Sequence, residues 1–330
     1  MSYSAPKTPS AQHPELPTAR PSERVQIFAL LTRTMYGSLR FSWLSYLGLA
    51  EQQHAAQLPT STAAVSYLST QALMRAMAAA RLDVPSSAAS EIEVDRSCAL
   101  CTSGKKHGKP RIAGVNFNMS QVNPLVVGAF SRNTSAVLGV DVETLDARLF
   151  SGFARLALSS EERAFYERVA QERPAPVLHL LSVALWTAKE AVLKATGHGL
   201  SVVPSLVRLQ LTDELLDALE LAMNEEVPGD LLDSDVPEPA ALRVLTQDRF
   251  ATQATFSAPQ GGNQGGKAIE RNFSLQWVPV ALPDAENPEH TQKMLIALAV
   301  ESPTEGEPAQ VEAQLLPVAT PLELKRLLTD

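Results

Sequence analysis

Residues 136–143 read Ala136-Val137-Leu138-Gly139-Val140-Asp141-Val142-Glu143. Short, apolar and preceded by Arg132-Asn133-Thr134-Ser135, the run reads as a sheet strand, and it ends on two carboxylates two residues apart. Side chains two apart on a strand share a face, so Asp141 and Glu143 present together. Hard divalent cations favour such oxygens, and magnesium is commonly held by one or two carboxylates, with water and substrate phosphate completing its shell. On the N-terminal side, Val25–Leu31, Val115–Met119 and Leu125–Phe130 read as strands. Ala63–Arg81 reads as a helix, with Val65, Leu68, Ala72, Leu73, Ala76 and Met77 at helical spacing. On the C-terminal side, Ser160–Ala170 and Leu178–Thr196 are helical, the second stopped by Gly197-His198-Gly199. Strand-like runs follow near Val202–Leu211, Leu242–Thr246, Phe273–Val280 and Met294–Val300, and Leu322–Leu328 reads as a short terminal helix.

The order helix, strands, helix, strands predicts an α+β fold of two similar halves meeting near residues 131–138. Residues 1–24, rich in Pro, Ser, Ala and Thr, read as a disordered leader without the apolar core of a secretory signal. Residues 25–134 then form an N-terminal subdomain and 135–330 a C-terminal one, whose last strands complete its sheet. The second carries a Gly-rich insertion at 257–267 and an acidic extension. Gly261 to Lys267 formally fits a phosphate-binding loop, but Ala268 stands where a magnesium-binding hydroxyl belongs, and the stretch reads as a linker. No run approaches the roughly 18 uninterrupted apolar residues of a membrane span.

Net charge is −8 over 330 residues, with 28 Lys and Arg against 36 Asp and Glu. Residues 1–200 carry +5 and residues 201–330 carry −13. The window Arg96–Val140 holds Arg96, Lys105, Lys106, Lys109, Arg111 and Arg132 and no acid. The total therefore argues against nucleic acid as a partner, while the division leaves room for a small anion beside Asp141. The two cysteines, Cys98 and Cys101, are too close to staple distant segments. With six unclustered histidines they suggest a reducing compartment, so the expected location is the cytoplasm.

A second constellation is Trp186-Thr-Ala-Lys189-Glu190-Ala-Val-Leu-Lys194, which sets Glu190 and Lys194 four apart on one helix face. Such pairs by themselves contribute only about 0.2–0.5 kcal/mol. Taken in order, however, the chain shows Arg96-x-Cys98-x-x-Cys101, His107-Gly108-Lys109-Pro110, Phe117-Asn118-Met119-Ser120, Gly139-x-Asp141-x-Glu143, Trp186-x-x-Lys189-Glu190-Ala191-x-x-Lys194 and Gly197-x-Gly199-Leu200. This series, from about Leu44 to Leu211, resembles the 4′-phosphopantetheinyl transferases, in the larger, single-chain, bacterial type that modifies carrier proteins of fatty-acid, polyketide or nonribosomal-peptide synthesis.

The resemblance implies two similar α+β subdomains related by a pseudo-twofold, each a small sheet packed against a long helix, with coenzyme A and Mg2+ in the cleft between them. It implies a monomeric, non-membrane transferase whose partners are coenzyme A and an acyl or peptidyl carrier protein. Asp141 and Glu143 would hold magnesium with Glu162, for which Glu161 is the competing choice. Glu190 would be a metal-linked acid or general base, and Lys189 and Lys194 would face the phosphates. Lys109, Pro110, Ser120 and Gln121 would contact the coenzyme, with Arg75 as a compensating cation beside Lys105 and Lys106. Trp186 reads as core packing. Two positions depart from the family: Gln121 stands where His follows the Ser, and Ser66 where an Arg lies near the 3′-phosphate. A neutral amide can donate to phosphate without carrying charge. Each lost charged hydrogen bond is worth about 1.5–3 kcal/mol. The competing reading is a divergent homologue that binds a carrier protein or another pyrophosphate ligand without efficient transfer.

Overall fold

The computed structural model describes residues 23–97, 108–225, 242–246, 250–258, 269–283, 291–302 and 311–329. Strand β1 (Glu23–Leu31) leads through short helices α1 (Arg40–Leu44) and α2 (Leu49–Ala56) to the long α3 (Ser61–Leu82). The Thr60 hydroxyl caps α3 by accepting from Ala63 N. The hairpin β2 (Asn116–Val122) and β3 (Leu125–Ser131) follows, then β4 (Leu138–Thr144). Next come α4 (Phe153–Ala157), α5 (Ser160–Glu172) and α6 (Ala175–Thr196). The remainder is β5 (Val207–Leu209), α7 (Asp213–Asn224), β6 (Arg243–Val244), β7 (Phe250–Ala258), β8 (Ile269–Pro283), β9 (Thr291–Glu301), β10 (Val311–Pro317) and α8 (Pro321–Thr329).

The result is mixed α+β, with two sheets each packed against helices. One sheet runs β10-β1-β3-β2 and the other β4-β9-β8-β7-β5, with β6 on β8. Alternation explains the layering. Along β1, Val25, Ile27, Ala29 and Leu31 join Val140 and Val142 of β4 and Ile296 and Leu298 of β9 in a core between the sheets. Phe28 and Leu30 turn the other way, onto Leu73 and Met77 of α3 and Leu324 of α8. Leu295, Ala297 and Ala299 of β9 likewise face away from the shared core, onto α6. Strands covered on both faces must be apolar at consecutive positions, which is why β3 and β9 read as unbroken apolar runs.

Most of the expected elements are present; helices α1, α2, α4 and α7 were not anticipated, and four further differences bear on the layout. The stretch expected as a strand over Val202–Leu211 is turns followed by the short β5, since Pro204 interrupts the ladder. Strand β7, which pairs along β8, was not anticipated. The last strands do not all complete the second sheet: β9 does, but β10 pairs in parallel with β1, and α8 packs on α3. Finally, α6 is long and apolar enough by length and composition to cross a membrane, although no uninterrupted apolar run signals it, and 72% of its most apolar window is buried inside the protein. It stops at Gly197, whose φ of 77° is the left-handed conformation that glycine adopts freely. The leader, the cysteine stretch 98–107 and the Gly-rich residues 259–268 lie outside the described residues.

Candidate active site

Strand β4 sends Leu138, Val140 and Val142 into the core between the sheets, so Gly139, Asp141 and Glu143 face α6. Gly139 sets the distance. A Cβ there would lie 2.1 Å from Ala191 O and 2.4 Å from Ala195 N, so strand and helix backbones touch at this crossing. Outward from it, β4 offers Asp141 and Glu143 while α6 offers Glu190 and Lys194.

These side chains meet. Asp141, 4% exposed, accepts through Oδ1 from Ser120 Oγ (2.7 Å) and from Lys194 Nζ (2.5 Å). Lys194 also donates to Ser120 Oγ (2.8 Å). Asp141 Oδ2 and Glu190 Oε1 are buried without a hydrogen-bond partner among the described residues. Burial pushes the Glu190 carboxyl up to about 7; the Asp141 charge, and more weakly that of Glu143, add to the rise against the opposing pull of Lys194. Burial and Asp141 also raise Glu143, while Lys194 and a hydrogen bond from Trp186 pull it back. Trp186 packs edge-on against Phe150 and Phe153 besides bonding Glu143, so its indole serves both core and site. Asp141, Glu143 and Glu190 gathered around the Lys194 ammonium form a site short of positive charge.

Strands β2 and β4 belong to different sheets, and side chains bridge them. Asn118 Oδ1 accepts from Val140 N (2.9 Å), and Asn116 Nδ2 donates to the Asn133 and Ala136 carbonyls (2.7 Å each). Asn118, which appears in the sequence motif without an assigned role, is the side chain that joins the two strands here. The alternation Asn116-x-Asn118-x-Ser120 on a buried strand was the available signal, because buried polar groups on one face need partners.

Other expected site residues lie elsewhere. Glu162 is 1% exposed and its two oxygens are fully used. Oε2 accepts from Ser159 N (2.7 Å) in a capping box, Oε1 from Leu209 N (2.9 Å), and both from Lys189 Nζ (2.8–2.9 Å). Lys189, completely buried, also donates to Pro204 and Val207 carbonyls. This pair ties α5, α6 and β5 together. Glu161 is exposed at the start of α5. Arg75 is buried in an ion pair with Glu51 (2.5 Å) and donates to the Ala89 and Ile92 carbonyls (2.7 and 3.2 Å). Gln121 is held by the Thr70 hydroxyl of α3, and Ser66 is buried on the same helix. Lys109 Nζ donates to the Leu138 and Ala195 carbonyls (2.9 and 3.3 Å); burial pushes it down to about 8, helped by Arg111 and Arg271. Pro110 follows it, leading into Arg111, which pairs with Asp95. Lys105, Lys106 and His107 lie outside the described residues.

No three His, Cys, Asp or Glu side chains among the described residues are gathered tightly enough to hold a metal ion as they stand. The donor chemistry nevertheless fits a hard cation: two orphaned, buried carboxylate oxygens lie in the cluster, and magnesium needs only one or two protein carboxylates beside water and phosphate.

The family model of the 4′-phosphopantetheinyl transferase superfamily matches residues 137–233, a little under a third of the chain. That segment includes β4, α5 and α6, and with them Asp141, Glu143, Glu190 and Lys194. No curated protein matches the chain.

Proposed function

We propose that the protein moves the 4′-phosphopantetheine arm of coenzyme A onto a serine hydroxyl of an apo acyl or peptidyl carrier protein, releasing 3′,5′-ADP. The observation that carries this reading is the Asp141–Glu143–Glu190–Lys194 cluster, inside the segment matched by the transferase family model. Asp141 and Glu143, with Glu190, are the residues that would hold magnesium. The ion, when bound, neutralises the pyrophosphate and activates its phosphorus toward attack. The serine oxygen forms a bond to the phosphorus bearing the pantetheine, and the bond from that phosphorus to the bridging oxygen breaks. 3′,5′-ADP leaves with the electron pair. Glu190, which keeps a buried oxygen without a partner among the described residues, accepts the serine proton. Lys194 stabilises charge on the phosphates, and Ser120 Oγ orients Asp141.

In this reading coenzyme A lies along the seam where β2 and β4 face each other, with Ser120 and Asp141 contributed by different sheets of the same chain. The first subdomain then comprises residues 25–134 together with the returning segment 311–329.

A second reading has an observation of its own. Arg75 is consumed by Glu51 and Gln121 is neutral, so the coenzyme side has fewer cations than the resemblance implies. A homologue that binds without transferring would show the same features. Incubation with coenzyme A, magnesium and an apo carrier protein, read by intact mass, separates the two. Transfer adds one phosphopantetheine to the carrier and is abolished in Asp141→Ala. Coenzyme binding with no mass gain on any carrier tested selects the second reading.

A further inference from the structure

We infer that Lys109 is a positioning residue that clamps β4 to α6, setting the spacing of the carboxylate cluster, and is not a contact to the coenzyme's phosphates. The inference rests on the proposed use of that cluster, and it departs from the role that the sequence resemblance gave this lysine.

Three observations converge. The ammonium donates to the carbonyl of Leu138, the first residue of β4, and to that of Ala195, one residue before the end of α6. These acceptors flank a close approach of the two backbones, since a Cβ at the adjacent Gly139 would lie 2.4 Å from Ala195 N. The cluster lies immediately outward from this crossing, with Asp141 two residues beyond Gly139 and Lys194 directly before Ala195. A small change in separation at the crossing therefore moves Asp141 and Glu143 relative to Glu190 and Lys194.

The chemistry suits a clamp. Carbonyls in the last turn of a helix have no intrahelical donor, and a cation there also complements the negative end of the helix dipole. Leu138 O lies on the edge of β4 away from β9, where β2 offers side chains instead of a backbone ladder. One ammonium thus serves acceptors on two elements that no backbone hydrogen bond joins. Moving it out to a phosphate would leave both carbonyls without this donor.

The test compares Lys109→Met, which keeps the aliphatic stem and removes the donors, with Lys109→Arg, which restores donors. Trp43→Phe serves as a stability control, because it removes a buried indole bond to Ala319 O far from the seam. Mn2+ alone, titrated against the full chain without coenzyme and followed by the electron-spin signal of the free ion, reports the spacing of the carboxylates. Outer-shell partners of metal sites typically carry about 10–100-fold in affinity. The expected result is that Lys109→Met weakens Mn2+ by about tenfold or more, Lys109→Arg recovers most of that loss, and Trp43→Phe melts earlier with unchanged Mn2+ affinity. In the transfer assay Lys109→Met lowers kcat while KM for coenzyme A stays within about threefold. Unchanged Mn2+ affinity together with a large rise in that KM would make Lys109 a phosphate contact and overturn the inference. So would an equal Mn2+ loss in Trp43→Phe, or no Mn2+ binding by the unmodified chain. If the chain binds Mn2+ in a Lys109-dependent way yet modifies no carrier, the clamp stands and the transferase reading falls.

Discussion

Replacing Gly139 by alanine adds one methyl group, yet it should be among the most damaging single changes in this protein. The new Cβ would lie 2.1 Å from Ala191 O, 2.4 Å from Ala195 N and 2.9 Å from Ala195 Cα, all backbone atoms of α6. No side-chain rotation relieves such a contact, so α6 must retreat from β4 by roughly an ångström. Overpacking of this kind costs about 1–3 kcal/mol and occasionally more. The upper end applies here because α6 is also packed against the second sheet on the same side. About 3 kcal/mol corresponds to a fall in Tm of several degrees in a chain of this size. The functional loss should exceed the stability loss: Glu190 and Lys194 ride on the displaced helix, and a misplacement of about 1 Å can cost about 10²-fold in rate. Gly128→Ala provides the comparison. Its Cβ would meet Met77 Cε at 2.7 Å and the Met77 and Met119 sulfurs at 3.0 Å, the far ends of flexible side chains that can move aside. We expect a cost of about 1 kcal/mol or less there, with the metal affinity kept. Urea unfolding and Mn2+ titration of both variants give the answer. A Gly139→Ala protein with near-native stability and Mn2+ affinity would refute the close-crossing account.

Two further substitutions test the charges. Because the Glu190 carboxyl is raised to about 7, its ionisation on going from mildly acidic to neutral pH opposes folding. The sign follows directly: with the folded value above the ordinary carboxylate value, its stabilising contribution is complete below about pH 4 and is lost as pH rises through 7. Glu190→Gln should therefore stabilise the metal-free protein at pH 8, on the order of 1–2 kcal/mol after allowing for solvent, and not at pH 4. The same variant should lose transfer and the acidic limb of the pH–rate profile; thermal melts at the two pH values check the first part and initial rates the second. Lys189→Met leaves Glu162 buried beside backbone donors without its counter-ion, so we expect a loss of about 3–5 kcal/mol in urea unfolding. A Lys189→Met protein of normal stability but impaired coenzyme binding would return this lysine to the phosphates.

The parts of the fold legible in the sequence are those whose signal is local. Helix α3 and strands β1 to β4 announce themselves through periodicity, and α6 ends where Gly197 says it must. Strand β10 has no such signal for its place, because pairing with β1 across nearly the whole chain depends on which edge is free, not on its own residues. Strand β7 alternates Phe250, Ala254 and Phe256 with polar positions, but Thr252 on the inward face blurs the pattern. In the site, the Asp141–Glu143 spacing and the Glu190–Lys194 spacing each give half of the cluster. Neither reveals that the halves face each other, which Gly139 makes possible.

Glu162 shows how one local signal can carry two readings. Ser159-x-x-Glu162 at the start of an amphipathic helix is the pattern of a capping box, and that alone commits one carboxylate oxygen to Ser159 N. A carboxylate that also accepts from Leu209 N and from Lys189 has no lone pair to spare for a cation. Lys189, by the same pair, has no proton to spare for a phosphate. The two residues fix the roll of α6 about its axis, and Glu190, the next residue along, is thereby turned toward Asp141. The charged groups of the motif thus divide by burial and partner: Lys189 and Glu162 neutralise each other and position the helix, whereas Glu190 keeps an orphaned oxygen at the cluster. Sequence spacing makes Lys189 and Glu190 neighbours, and only the packing of α6 between α5 and β4 gives them opposite tasks.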